Sequence, residues 1–152
     1  MISVIQRVTE ASVAVGSEIV GKIGRGIVVL AAVHATDEDS DILWTARKLA
    51  GLRIFANQQH NFDLDVTEIG GSILLVSNFT VAADAAKGRR PSLSAAASPQ
   101  IAELKFNQLV AAVKTLGVHT ETGRFGADMR IALVNDGPAT FVLDSRNQHP
   151  TR

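Results

Sequence analysis

Apolar positions in the first third of the chain fall in short β-branched runs rather than at helical spacing. Residues 2–8 and 12–15 alternate or run apolar, "GKIGRG" interrupts, and "IVVLAAV" continues to Val33. Runs of this kind, bounded by glycine, predict a string of short strands. The period then changes. In "TDEDSDILWTARKLAGL", Thr36 is placed to cap a helix and acids gather in its first turn, while Ile42, Ala46, Leu49 and Ala50 share one face. Residues 71–79, "GSILLVSNF", form a continuous apolar run ending in polar residues, which suits a strand buried on both faces. A second helix is bounded by Ser98 as cap, Pro99 at its first position and Gly117 as its stop, with a stripe of Phe106, Leu109, Val110, Val113 and Leu116.

Two further strands, 127–135 and 139–144, flank Asn135-Asp136-Gly137, which reads as a tight hairpin turn. Pro138 follows directly, where a returning strand has little use for a residue without an N–H. It either stiffens the turn or belongs to a geometry held for a purpose. Roughly eight strands and two helices predict an α+β fold: one domain over residues 1–144 with a mostly antiparallel, barrel-like sheet. The tail "SRNQHPTR", residues 145–152, is expected to fray.

Composition narrows the function. With 152 residues, 46% hydrophobic and 20% charged, the chain is long enough for one core and ordinary for a globular protein. No apolar run approaches the ~18–20 residues of a membrane span, and the first residues lack the pattern of a signal peptide, so a cytoplasmic protein is expected. The absence of cysteine removes disulfides, thiolate metal sites and a cysteine nucleophile. Fifteen basic and fifteen acidic residues cancel, which argues against a protein that wraps a long duplex, and no DNA partner is expected. A pocket for the last nucleotide of an RNA is compatible with neutrality. The densest basic cluster, Lys87, Arg89 and Arg90 of "KGRRPS", reads by itself as a solvated loop.

Familiar catalytic patterns are missing: no Gly-x-Ser-x-Gly, no phosphate-binding Gly-x-x-x-x-Gly-Lys and no His-Glu-x-x-His. His34, His60, His119 and His149 lack ligand spacing and read as surface or loop residues, so neither a metal nor a cofactor is expected. What remains is "SNFT", Ser77 to Thr80, at the end of the most apolar strand. A strand end can display backbone N–H groups on a rigid support, and such donors stabilise an oxyanion without a charged side chain. A plain strand terminus with satisfied hydroxyls is the competing reading.

"IQRVTEASV", "SNFTVAAD", "GRRPSLSAAASP", "TGRFGADM" and "NDGPAT" occur in this order from near the start to about Leu143. Together they resemble the D-aminoacyl-tRNA deacylase (D-tyrosyl-tRNA deacylase) family. The resemblance implies a homodimer that hydrolyses the ester between a D-amino acid and the 3′-terminal adenosine of tRNA, without metal or cofactor. Gly137-Pro138 matches the family's Gly-cisPro element, which one subunit places in the other's site. There its carbonyl oxygens would exclude an L side chain while a D side chain points away. Glycine has no β-carbon to exclude, so mischarged glycine would be cleaved too. Arg7 matches an arginine that fixes the element, with Asn135 and Thr140 as motif support. The same resemblance implies oxyanion-holding N–H groups around Phe79 and Thr80, with Thr80 orienting water and the ribose 2′-hydroxyl assisting. Ser77, Asn78, Phe125 and Met129 would bind substrate, although pattern alone makes the last two core residues. The family usually has Gln where this chain has Asn78. That change matters little if residue 78 acts through its backbone, and more if its amide makes a contact. A barrel that binds RNA 3′ ends or a small metabolite without turnover is the alternative.

Overall fold

The computed structural model describes residues 1–148. Its organising element is the first strand, β1 (Ile2–Val15), long enough to carry three partners. Along one edge, its first half pairs antiparallel with β3 (Gly26–Ala32), from Ile2↔Ala32 to Val8↔Gly26. Its second half pairs with β2 (Glu18–Ile23). The other edge carries β6 (Arg130–Asp144), also antiparallel. β3 then pairs parallel with β4 (Ser72–Ser77), and β4 parallel with β5 (His119–Thr122). Parallel neighbours need crossovers, and α1 (Asp39–Gly51) and α2 (Pro99–Thr115) supply them. The sheet curls until β2 meets β5: a Cβ on Gly21 would lie 2.6 Å from the Thr122 carbonyl oxygen, so only glycine lets the edges approach. The α+β, barrel-like reading holds.

Two apolar layers follow from strand alternation. Ile5, Ile27, Val29, Ile73 and Leu75 pack with Ile42 and Leu49 of α1 and Phe106, Leu109 and Val113 of α2. The opposite face carries Val8, Val13, Val28, Leu74 and Val76. β4 therefore feeds both layers with successive residues, as its unbroken apolar run predicts. No helix among the described residues is long and apolar enough to cross a membrane.

Several local expectations are corrected. Among the described residues six strands are named, against roughly eight expected; β1 and β6 each run unbroken where the sequence suggests two pieces, and the sequence singles out neither β2 nor β5. Asn135-Asp136-Gly137 is not a hairpin turn. Residues 130–135 and 140–144 pair in the same direction with the same strand, β1, so the chain bulges and continues. Glu38, not Thr36, caps α1, its N–H donating to Asp41 Oδ2 at 2.9 Å. Helix entry is delayed because the preceding Asp37 is committed elsewhere. It accepts from the His34 N–H at 2.7 Å and ion-pairs with the buried Met1 ammonium. Leu116 leaves the α2 stripe and is 44% exposed, being the C-cap beyond the last turn.

Residues 145–148, expected to fray, form a 3-10 turn. Ser145 is buried there, donating its N–H to the Met1 carbonyl at 2.8 Å and lying 2.6 Å from the Met1 nitrogen through its hydroxyl. Just before it, the side-chain hydrogen bonds from Arg146 hold the Asp144 carboxyl below the usual carboxylate range. The rest of the expected tail, 149–152, lies outside the described residues.

Candidate active site

Ser77 closes β4 beside the end of β3. The Asn78 N–H continues the ladder by donating to the Ala31 carbonyl at 2.8 Å. The Asn78 carbonyl accepts from the Val81 N–H at 3.2 Å, which opens a 3-10 turn over Phe79–Ala82. The N–H groups of Phe79 and Thr80 precede that first internal bond and have no protein acceptor among the described residues. Two adjacent backbone donors thus stand free on a strand whose Ile73–Val76 segment is fully buried.

The two hydrogen-bonding ends of Asn78 are engaged differently. Its N–H is spent on the Ala31 carbonyl. Its side-chain Oδ1 accepts the Thr80 hydroxyl proton at 2.5 Å. A neutral amide oxygen does not take that proton up, and the Thr80 oxygen keeps lone pairs to accept with.

A cavity of about 540 Å³ adjoins these donors. Ser77, Asn78 and Phe79 form one wall and Phe125 and Met129 another. Phe125 is steadied by Phe106 of α2, the ring centroids 6.2 Å apart. The Phe79 ring itself is 59% exposed. Sequence reasoning missed the remaining wall, a strap of Leu93, Ala96 and Ala97 laid across the end of β3. It is held by the Ala97 N–H on the Val33 carbonyl at 2.9 Å and the Ala35 N–H on the Ala95 carbonyl at 3.0 Å. The available signal was the run of small residues ahead of Pro99, which leaves room where larger side chains would fill it. The strap also corrects the reading of His34. That residue is buried beneath it, with Nδ1 3.2 Å from the Ala95 carbonyl.

The second group of expected residues gathers on the β6 bulge. Gln6 pairs with Thr140 and Val8 with Asn135, so residues 136–139 all face Arg7 alone. Asn135 Nδ2 closes the neck by donating to the Arg7 and Ala139 carbonyls, each at 3.0 Å. Arg7 donates from Nε to the Asp136 carbonyl at 3.0 Å and from Nη1 to the Ile54 carbonyl at 2.6 Å. Gln6 Nε2 reaches the Thr140 hydroxyl at 3.5 Å. At the tip, Gly137 and Pro138 are exposed and joined by a cis bond. Gly137 has φ +133°, and a Cβ there would meet Ala139 N at 2.9 Å and Arg7 Nη2 at 3.0 Å, so no other residue fits unstrained. Neither Gly137 nor Pro138 lines the cavity. One chain therefore holds the expected residues in two separate groups.

Comparison with known proteins is consistent along nearly the whole chain. The family model described as D-Tyr-tRNA(Tyr) deacylase matches residues 4–144. A protein from Desulfitobacterium hafniense (strain DSM 10664 / DCB-2) named D-aminoacyl-tRNA deacylase is 48% identical over 145 residues, covering 95% of this chain and 97% of the relative. One of the same name from Roseiflexus sp. (strain RS-1) is 48% identical over 155 residues, covering 98% and 100%. A solved structure described as c-Myc DNA Unwinding Element Binding Protein superposes with a TM-score of 0.89 at 34% identity, covering 95% of this chain and 98% of the other.

Proposed function

Since the chain belongs to the D-Tyr-tRNA(Tyr) deacylase family and is a D-aminoacyl-tRNA deacylase, we propose that the cavity beside β4 takes the aminoacylated 3′ end and that backbone donors carry the catalysis. Water attacks the ester carbonyl, and the Phe79 and Thr80 N–H groups hold the oxygen that becomes negative. The carbon–oxygen bond to the ribose then breaks, releasing the D-amino acid and tRNA. The neighbouring ribose 2′-hydroxyl assists the proton transfers, and Thr80 orients water through its free lone pairs. The observation that carries this reading is the pair of unpartnered N–H groups at the end of a buried strand. Each such donor typically contributes about 10²–10³ in rate, so positioning supplies much of the acceleration without a charged side chain.

Selectivity belongs to the bulge. Gly137 and Pro138 do not line their own chain's cavity, so their action on the substrate requires a second copy, and the functional unit is a two-fold dimer. The partner's Gly137–Pro138 backbone then stands against the α-carbon of the bound aminoacyl group. An L side chain meets that wall, a D side chain turns away, and glycine presents nothing to it. An aminoacyl-tRNA substrate supports a cytoplasmic location, where translation runs.

D-alanyl, glycyl and L-alanyl esters of one tRNA test the proposal together. The expected result is cleavage of the first two and resistance of the third. A methyl group weighed only by an apolar pocket would discriminate by about 10–200-fold, whereas a rigid wall misplaces the reacting carbon and exceeds that. Comparable cleavage of L-alanyl and D-alanyl esters would remove the wall from the account. Binding of tRNA without turnover of any ester would favour a non-catalytic RNA-end receptor.

A further inference from the structure

The basic cluster at Lys87, Arg89 and Arg90 is unused by the chemistry above, and it lies in a loop whose two flanks lead to Phe79 and Leu93 of the cavity lining. Its loop is pinned at the base by two backbone hydrogen bonds between Asp84 and Ser92, at 2.9 and 2.8 Å. Upstream the loop continues directly from the 3-10 turn that bears the free N–H groups. Downstream it runs into Leu93, Ala96 and Ala97, which line the cavity wall. The loop is therefore tied at one end to the turn with the free N–H groups and at the other to the strap.

Its charges are uncommitted. Arg7, Arg53, Lys105, Arg124 and Arg146 each have a carboxylate within 4.0 Å. Lys87, Arg89 and Arg90 are exposed, and none has such a partner or a side-chain hydrogen bond among the described residues. The nearest acid in sequence, Asp84, turns its Oδ1 to the Ala86 N–H at 2.9 Å. In a chain of zero net charge, three unpaired cations within four residues form a local positive field.

We propose that this loop grips phosphodiesters of the substrate RNA, just upstream of the terminal nucleoside, as that strand leaves the cavity. The proposal rests on the reading that the cavity takes the aminoacylated nucleoside. A cavity of about 540 Å³ holds the end of the chain only, so the next nucleotides must cross its rim. Phosphates there meet guanidinium and ammonium groups that no carboxylate of the protein already neutralises, which is sequence-independent recognition. It lets one site serve many tRNAs.

The test compares two substrates in the full-length protein: a D-aminoacyl-tRNA and the matching D-aminoacyl-adenosine, which has no phosphate. In the triple variant Lys87→Glu, Arg89→Glu, Arg90→Glu, the ratio of kcat/KM on tRNA to that on the nucleoside ester should fall at least tenfold. Its dependence on KCl should flatten, since each phosphate contact to a single strand contributes a slope of about −0.7 in log K against log salt. An unchanged ratio overturns the proposal, as does a loss equal on both substrates, which would place the loop in the chemistry. Anisotropy of labelled, uncharged tRNA reads the loop without turnover. Weaker, less salt-dependent binding by the variant supports the proposal, and equal binding overturns it. A wild-type protein that binds tRNA but cleaves neither ester would instead remove the deacylase reading.

Discussion

The end of β4 and the bulge of β6 are both short departures from regular strand, but they are held in opposite ways. At the end of β4 the backbone is fixed from beneath by Ile73–Val76, which feed both apolar layers, and from the side by the β3 ladder through Ala31. At the bulge, residues 136–139 have no strand partner of their own and are held by the side chains of Arg7 and Asn135. The first region presents main-chain donors whose position depends on the core. The second presents an exposed main-chain bulge, the proposed wall, whose position depends on a few polar contacts. Rate should therefore resist side-chain changes around the donors, while stereoselectivity should be fragile to side-chain changes around the wall.

The sharpest way to break this contrast is to remove a donor itself. Phe79→Pro deletes one N–H at the first position of a 3-10 turn, where proline is tolerated. Turnover of a D-aminoacyl ester should fall about 10²–10³-fold, roughly 2.7–4 kcal/mol, with the D/L ratio little changed. Phe79→Ala keeps the N–H and loses only an exposed ring, so the difference between the two variants isolates the backbone contribution.

Next comes the wall. Arg7→Ala removes the hydrogen bonds to the Asp136 and Ile54 carbonyls. The bulge should shift, and the D/L ratio should fall about 10–100-fold, because misplacement near 1 Å costs that order in rate. Turnover of the D ester should stay within a few-fold, and single-turnover rates on both esters measure this. Thr80→Ala removes an orienting hydroxyl but neither donor, so kcat should drop roughly tenfold or less, within the scale of general acid–base assistance. Complete loss, with folding and tRNA binding intact, would make the hydroxyl a nucleophile. Asn78→Gln should change least, within a few-fold, because the Asn78 N–H bond to Ala31 is independent of side chain.

The same contrast explains what the sequence disclosed. The β4 run and the limits of α2 are local signals: an unbroken apolar stretch, and a Ser98-Pro99 start with a Gly117 stop. The bulge is not local. Asn135-Asp136-Gly137 has strong turn propensity, and only the pairing of its two flanks with one strand, β1, more than 120 residues away, turns a hairpin into a bulge. Thr36 lost the cap of α1 because Asp37 answers to Met1, again a long-range partner. The motifs named the candidate residues, and the fold brings them together in two groups. The strap over β3 and the hold of Ile54 on Arg7 needed the fold, since neither follows from spacing along the chain.

In the proposed dimer the donors of one chain and the wall of its partner make one site. Mixed dimers test it most directly, with Phe79→Pro silencing a cavity and Arg7→Ala displacing a bulge. When both substitutions lie on one chain and the partner is unmodified, the only working cavity faces the displaced bulge. The D/L ratio should then fall to that of Arg7→Ala. When they lie on opposite chains, the working cavity faces an intact bulge, and the ratio should equal that of the unmodified protein. The reverse pattern, selective in the first dimer and unselective in the second, would show that each chain filters its own substrate and would contradict the account.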